Sequence, residues 1–225
     1  MGRYKQPTGT RGSLKWIQRA VNQASPRQID WLILSKLDGA RSISWLSPLF
    51  DDDFSEYRDS AFLDKIGAGH LAIELERFWP RAGPQWDALG RSDAGDVLLV
   101  EAKAHIEELL SSPTEASAAS RATIDAALEK TATQLRAVPR APWGNVFYQL
   151  ANRLAHLQFL RSHNVNAWLV LANFVGDGEM HGPKTAEAWE AAYKIVEHVL
   201  GLPKRHALSK HIIHIYPTIS DLTAA

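Results

Sequence analysis

The stretch from Pro84 to His105 constrains the fold more than any other part of the chain. It is typical of two adjacent antiparallel strands, Trp86 to Leu89 and Val97 to Lys103, joined by a turn rich in Gly, Ser and Asp. Because alternate residues of a strand share a face, one face of the second strand is wholly apolar. The other face begins apolar and ends in Glu101 and Lys103. A buried carboxylate and a buried ammonium group need charged or hydrogen-bonding partners.

Asp87 on the neighbouring strand is the obvious residue to complete a charged cluster with Glu101 and Lys103. Two carboxylates supply the oxygen ligands that Mg²⁺ prefers, and a lysine lies near the water or phosphate that such an ion orients. The sequence therefore predicts a Mg²⁺ or Mn²⁺ site with Asp87 and Glu101 as metal ligands. The alternative is a surface salt bridge where a strand leaves the core.

Asp87, followed by Glu101-Ala102-Lys103 at the end of a hydrophobic strand, resembles the signature of the PD-(D/E)XK nuclease superfamily. The resemblance implies a restriction-endonuclease-like fold, metal binding by the Asp and the Glu, and phosphodiester hydrolysis supported by the Lys. One departure is that Pro84 lies three residues before Asp87 instead of next to it. An acid two positions before a lysine is by itself a weak pattern, although Lys103 is the only lysine of this chain with that neighbour.

The composition is typical of a single globular unit. The chain has 225 residues, of which 45% are hydrophobic, and eight tryptophans supply a substantial core. The absence of cysteine excludes disulfides and thiolate zinc sites. No apolar run resembles a secretory signal or a membrane span, so we expect a cytoplasmic protein with no membrane partner.

The charge is balanced overall but uneven along the chain. With 25 basic and 25 acidic residues the net charge is zero, which argues against a protein that coats nucleic acid. However, the residues before the first acid, Asp30, carry only positive charges, which could engage phosphates. These are Arg3, Lys5, Arg11, Lys15, Arg19 and Arg27. The alternative is a frayed terminus, with residues 1–12 mobile, followed by a solvated helix face.

The order of predicted elements from residue 54 onward agrees with an α-β-β-β-α-β core. This predicts an α/β fold of the restriction-endonuclease-like type, with a mixed sheet flanked by helices and extra N-terminal helices. Residues 1–53 would form a helical extension packed on a core of residues 54–225. The predicted core elements are a helix over 54–66, strands over 70–79, 86–89 and 97–103, helices over 116–135 and 145–163, a strand over 165–175, and a last helix and edge strand.

Two further sets of residues are candidates for the site. Superfamily members commonly carry an extra acid on the helix before the first core strand, and Glu56 is the candidate here, with Glu76 in reserve. Helix capping or plain solvation explains Glu56 equally well. On the helix over 145–163, a polar strip could contact a phosphate backbone or could be an ordinary solvated face. The strip consists of Gln149, Asn152, Arg153 and His156.

Together these features predict a metal-dependent, nuclease-like phosphodiesterase that acts on nucleic acid, with DNA favoured. Asp87, Glu101, Lys103 and Glu56 are the predicted catalytic residues. Two alternatives remain open. One is a non-catalytic binding or structural module that has kept the fold, and the other is a metal-dependent hydrolase of a smaller phosphorylated substrate.

Overall fold

The computed structural model describes residues 2–111 and 116–223, which form an α/β fold around a five-stranded mixed sheet. The strands are β1 (Arg3–Tyr4), β2 (Ile43–Ser47), β3 (Glu56–Tyr57), β4 (Ala88–Ser92), β5 (Val97–Lys103), β6 (Ala167–Asn173) and β7 (Ile212–Ile215). The α-helices are α1 (Gly12–Asn22), α2 (Gln28–Leu34), α3 (Asp59–Lys65), α4 (Ala72–Phe78), α5 (Ala118–Gln134), α6 (Tyr148–Ser162), α7 (Ala186–Leu200) and α8 (Ile219–Thr223). None of the described helices is long and apolar enough to cross a lipid bilayer.

The central sheet has the strand order β2-β4-β5-β6-β7. β2, β4 and β5 are antiparallel neighbours, whereas β6 runs parallel to β5 and β7 runs parallel to β6. β5 is the middle strand and every one of its residues is buried. The ends of β5 and β6 are aligned, with Lys103 opposite Asn173. A separate two-stranded sheet pairs β1 with β3.

Two hydrophobic layers cover the two faces of the sheet, as the two-faced pattern of β5 predicts. Val97 and Leu99 pack in the layer that includes α3 to α7, and Leu98 and Val100 pack in the layer that includes α1 and α2. Glu101 and Lys103 are separated from Val97 and Leu99 by even numbers of residues, so all four side chains are on the same face of β5. They therefore lie on the face covered by α6.

The predicted strand over 70–79 is wrong, because this segment forms the helix α4, preceded by a short 3₁₀ turn at Gly69–Leu71. Leu71 and Leu75, four residues apart, are 6% and 5% exposed, whereas Ile73 is 62% exposed. The burial thus follows the helical period and not the alternation of a strand. Glu76, the reserve candidate, lies exposed near Arg81, away from the predicted cluster.

The predicted helix over 54–66 begins only at Asp59, and Glu56 lies on the short strand β3. Asp53, Phe54 and Asp59 have left-handed backbone conformations, with φ of 52°, 48° and 53°, so a right-handed helix does not continue through residues 53–58. The first strand of the antiparallel set is instead β2. The central sheet therefore includes residues from the segment assigned to the N-terminal extension.

Residues 2–11, which the sequence predicts to be mobile, make specific contacts with the rest of the fold. Arg3 and Tyr4 pair with Tyr57 and Glu56, and the Gly9 amide donates to Gln18 Oε1 at 2.8 Å. The N-terminal segment thus lies beside β3, and it brings Gln6 to Glu56.

Candidate active site

The end of β5 brings together the two charged residues that the sequence singles out. Glu101 and Lys103 are 2% and 7% exposed. Lys103 Nζ donates a hydrogen bond to Glu101 Oε1 and another, of 2.9 Å, to Gln149 Oε1 on α6. The ammonium group therefore points into the same site as the carboxylate and is held by two acceptors.

Arg153 on α6 supplies the second cation of the cluster. Its Nε donates to Glu101 Oε2 at 2.5 Å, so both oxygens of this carboxylate are paired. Arg153 Nη1 donates to Asn152 Oδ1 and Nη2 donates to the Gln85 carbonyl oxygen, both at 2.8 Å. The guanidinium also lies 4.9 Å from the centre of the Trp86 ring, a cation–π distance. Arg153 is thus fixed in place.

Asp87 lies just before β4 and beside the backbone of β5. Its Oδ2 accepts a hydrogen bond from the Ala102 amide at 2.7 Å, and no described residue donates to its Oδ1. Burial, followed by the charges of Glu101 and Glu56, raises the pKa of Asp87 well above its usual range. The carboxylate is therefore under-compensated, and a nearby cation would favour its ionised form.

Glu56 approaches the same site from β3 and is 5% exposed. Its Oε2 accepts from Gln6 Nε2 at 2.8 Å and from Gln85 Nε2 at 2.5 Å, while its Oε1 receives no hydrogen bond from the described chain. Burial is the main cause that raises the pKa of Glu56, and the charge of Glu101 adds to it. Glu56 is thus the third carboxylate of the site, on a strand and not on the predicted helix.

Glu101 differs from the other two acids. Burial opposes its ionisation, but the charges of Arg153 and Lys103 outweigh burial and lower its pKa. The site therefore contains one carboxylate held in its ionised form and two whose negative charge is incompletely compensated.

An open cleft of about 520 Å³ gives access to the cluster. Asp87, Glu56 and Arg153 line it, and Leu110 and Tyr148 also line it. Its remaining lining residues are Pro84, Gln85, Ser111, Gln149 and Asn152. Asp87, Glu56 and Arg153 are thus reachable by a ligand from solvent, whereas Glu101 and Lys103 are not among the residues that line the cleft.

The predicted polar strip of α6 faces inward and not toward solvent. Asn152 and Arg153 are 7% and 3% exposed, and Gln149 is half-buried. These three line the cleft, but His156 does not. His156 is buried against aromatic rings, with the Trp79 ring centre 4.8 Å away. The position of His156 therefore does not fit its predicted role as a direct contact to phosphate.

Two glutamines of the site were not predicted. Gln85 lies two residues before Asp87, so the same-face rule for extended chain could have identified it. Gln6 has no comparable local signal, because only the pairing of β1 with β3 brings it to Glu56.

The donor set has the chemistry that suits a hard cation but not the arrangement of a preformed cage. Asp87 Oδ1 and Glu56 Oε1 are carboxylate oxygens without a protein hydrogen-bond donor among the described residues. However, no group of three or more His, Cys, Asp or Glu side chains within residues 2–111 and 116–223 is arranged to hold a metal ion. The oxygen ligands fit Mg²⁺ or Mn²⁺ by type only.

Most of the early basic residues are paired with acids. Arg3 Nη2 lies 2.6 Å from Asp52 Oδ1, and Lys5 Nζ lies 2.5 Å from Asp53 Oδ2. Lys15 and Arg27 also have acidic partners, Glu179 and Asp30. This local compensation reduces the N-terminal charge available for phosphates.

Comparison with protein-family models, with curated proteins and with solved structures finds no match to this chain. The resemblance to PD-(D/E)XK nucleases therefore stays a prediction from Asp87 and the Glu101-Ala102-Lys103 segment.

Proposed function

We propose that this protein is a divalent-metal-dependent phosphodiesterase of the nuclease type that acts on nucleic acid, with DNA as the favoured substrate. One observation carries the proposal. Asp87, Glu101 and Lys103, which the sequence predicts to form one site, lie at the same end of the central strand, where Asp87 lines an open cleft.

The order of elements supports the same proposal. Helix α2, the antiparallel strands β2, β4 and β5, the helices α5 and α6, and the parallel strand β6 follow one another in the α-β-β-β-α-β order. In this assignment α3 and α4 are an insertion between the first two core strands. This restriction-endonuclease-like topology is part of the proposal.

Each residue has a distinct role in the proposed reaction. Asp87 and Glu101 would hold the ion, which when bound supplies charge neutralisation at the scissile phosphate and a more acidic water. Lys103 would stabilise negative charge that develops on the phosphate in the transition state. Glu56 would orient a water through Oε1, the oxygen that no glutamine occupies.

The test is a cleavage assay on single- and double-stranded DNA and RNA with Mg²⁺ or Mn²⁺. Asp87→Asn and Lys103→Met are expected to lower the rate at least a hundredfold, because each removes a charge that the transition state needs. Asp38→Asn is the matched control, since Asp38 is an exposed acid that lines neither the cleft nor a neighbouring cavity. Activity that survives Asp87→Asn, or no metal-dependent cleavage of any substrate, would contradict the proposal.

A non-catalytic module is the second candidate, and the pairing of Glu101 favours it. Both oxygens of Glu101 already bind protein cations, so the cluster is complete without an ion. Calorimetric titration with Mn²⁺ separates the two candidates. A binding event that Glu101→Gln abolishes supports the enzyme, whereas the absence of binding supports the module.

A hydrolase of a smaller phosphorylated substrate is the third candidate. The ion pairs of Arg3, Lys5, Lys15 and Arg27 favour it, because they weaken the electrostatic argument for a polymer. Release of inorganic phosphate from small phosphoesters, without cleavage of nucleic acid, would support this candidate.

A further inference from the structure

A second cavity lies one turn of α6 away from the charged cleft. It has a volume of about 410 Å³, within the size range of small-ligand sites. Trp79 and His156 line it, and we call it the Trp79 cavity. His156 follows Arg153 by three residues, so about 4.5 Å of helix rise separates the two. Nothing in the proposed reaction uses this cavity.

The wall of the Trp79 cavity holds an unused hydrogen-bond acceptor. His156 Nδ1 lies 2.9 Å from the carbonyl oxygen of Asn152. Because a carbonyl oxygen only accepts, Nδ1 has the proton and Nε2 is the acceptor. Burial lowers the pKa of His156 to about 3, which keeps the ring in this neutral form. No residue of the described chain donates to Nε2.

An unused donor lies beside this acceptor. Trp79 is 3% exposed, and within the described chain its Nε1–H has no acceptor. Neither of these two unpaired nitrogens is fully buried. Because Trp79 and His156 both line the cavity, the nitrogens are accessible from it. A Cβ placed on Gly83 would lie 3.6 Å from His156 Nε2 and 3.4 Å from Trp79 Cδ1, the carbon bonded to Nε1. The donor and the acceptor are thus close together.

The charges around the cavity are balanced. Arg58 Nε lies 3.7 Å from an Asp59 oxygen, and Arg81 Nη2 lies 3.8 Å from a Glu76 oxygen. Because each cation at the cavity has an acidic partner, the site favours an uncharged ligand over a phosphate.

The backbone of the cavity wall is strained. Asp59 and Ala82 have left-handed φ angles of 53° and 68°. The Asp59 carboxylate holds this geometry by accepting from the amides of Ala82 at 3.2 Å and Gly83 at 2.9 Å. Strain of this kind clusters at ligand sites, where the surrounding structure maintains it.

We propose that the Trp79 cavity binds an uncharged nucleobase. One edge of the base accepts a hydrogen bond from Trp79 Nε1 and donates one to His156 Nε2. Each of the four DNA bases presents an acceptor beside a donor on its Watson–Crick edge. The inference rests on the proposed function, because the chain from Pro80 to Gln85 runs from this cavity to the cleft. One unpaired strand could then reach both sites.

The test is an NMR titration of the metal-free protein with adenosine, guanosine, cytidine and thymidine, in which the indole N–H signal of Trp79 is followed. We expect a saturable shift of this signal with at least one nucleoside. His156→Phe keeps a ring but removes the acceptor, and Gly83→Ala places a methyl group 3.6 Å from His156 Nε2 and 3.4 Å from Trp79 Cδ1. Both variants are expected to weaken binding about tenfold or more.

Arg77→Gln is the control, since Arg77 is an exposed cation on α4 outside this cavity. Thermal unfolding followed by circular dichroism verifies that each variant is folded. No binding of any nucleoside, or equal binding by wild type and the folded Gly83→Ala variant, would overturn the inference. Binding of N-acetylglycinamide without binding of nucleosides would also overturn it, because the ligand would then be a peptide amide.

The two proposals fail separately. The titration contains no metal and measures no cleavage, so an inactive protein that binds nucleosides contradicts the nuclease but keeps the base site. An enzyme that cleaves DNA but binds no nucleoside contradicts the base site alone.

Discussion

Glu101 shows most clearly how single residues shape this site. Its carboxylate is buried at 2% exposure and depends on Lys103 and Arg153 for compensation. Removal of one partner from a buried ion pair costs about 3–5 kcal/mol, because the remaining charge is left uncompensated. The stability of the protein should therefore report on this cluster even in the absence of any ligand.

We expect Arg153→Met to lower the free energy of unfolding by about 3 kcal/mol at pH 7. Adding Glu101→Gln should recover most of this loss, because the buried charge is removed as well. Urea unfolding of the two single variants and the double variant measures the coupling. Additive losses in the double variant would show that the Glu101–Arg153 pair is not coupled.

For Asp87, in contrast to Arg153, we expect removal of the charge to stabilise the folded protein at neutral pH. Its pKa is raised in the folded protein, so its stabilising contribution is present below the unfolded pKa of about 3.8 and is lost as pH rises through the folded value. Asp87→Asn should therefore raise the free energy of unfolding at pH 8 by on the order of 1 kcal/mol. At pH 3 the gain should vanish. Denaturant unfolding at both pH values checks this, and a loss of stability at pH 8 would contradict it.

A secondary-structure element is predictable from sequence when its hydrophobic pattern fits only one type of element. β5 was predicted with the bounds it has, because a fully apolar face and a mixed face alternate without interruption. The segment from Leu71 to Phe78 contains apolar residues at spacings of both two and four. Its hydrophobic pattern therefore fits a strand as well as a helix. Length and flanking glycines did not separate the two possibilities.

The long-range contacts of the site could not be predicted from sequence. Asp87, Glu101 and Lys103 were found because neighbouring strands place them together by local rules. Arg153 was selected only as part of a polar strip, and its inward direction depends on how α6 packs against the sheet. The placement of Glu56 depends on the pairing of β1 with β3, across a separation of about fifty residues.

The helical assignment of α4 gives a direct test. Ile73 and Leu75 would share a face in a strand, but in the helix Ile73 is 62% exposed and Leu75 is 5% exposed. We expect Ile73→Ala to change the free energy of unfolding by less than about 0.5 kcal/mol. Leu75→Ala should cost about 2–5 kcal/mol, because it leaves a cavity in the core. Equal losses in urea unfolding would contradict the helix.

The central sheet separates two hydrophobic layers, and the charged cluster lies in only one of them. The layer with α5 and α6 contains the cluster, while the layer with α1 and α2 is apolar against the same strands. The net charge is zero, and Arg3 and Lys5 are paired with acids, so neither the overall charge nor these two cations favours attraction of a polyanion. If the proposed function is correct, affinity for nucleic acid should therefore depend on the cleft.

This predicts a specific salt dependence for DNA binding. Arg3→Gln combined with Lys5→Gln should leave the slope of log affinity against log salt unchanged, because both cations are already paired with Asp52 and Asp53. Fluorescence anisotropy at several salt concentrations measures the slope. A slope that becomes shallower by about 2 would show that these two residues contact phosphates.

The double pairing of Glu101 has a consequence for any ion that enters the site. Because Oε1 and Oε2 each already accept from a protein cation, an incoming ion must exchange with one of them. The measured binding free energy is then the difference between the interaction of Glu101 with the ion and the protein ion pair that the ion replaces. Substitutions that loosen the Arg153 guanidinium should therefore strengthen ion binding even as they lower the free energy of unfolding.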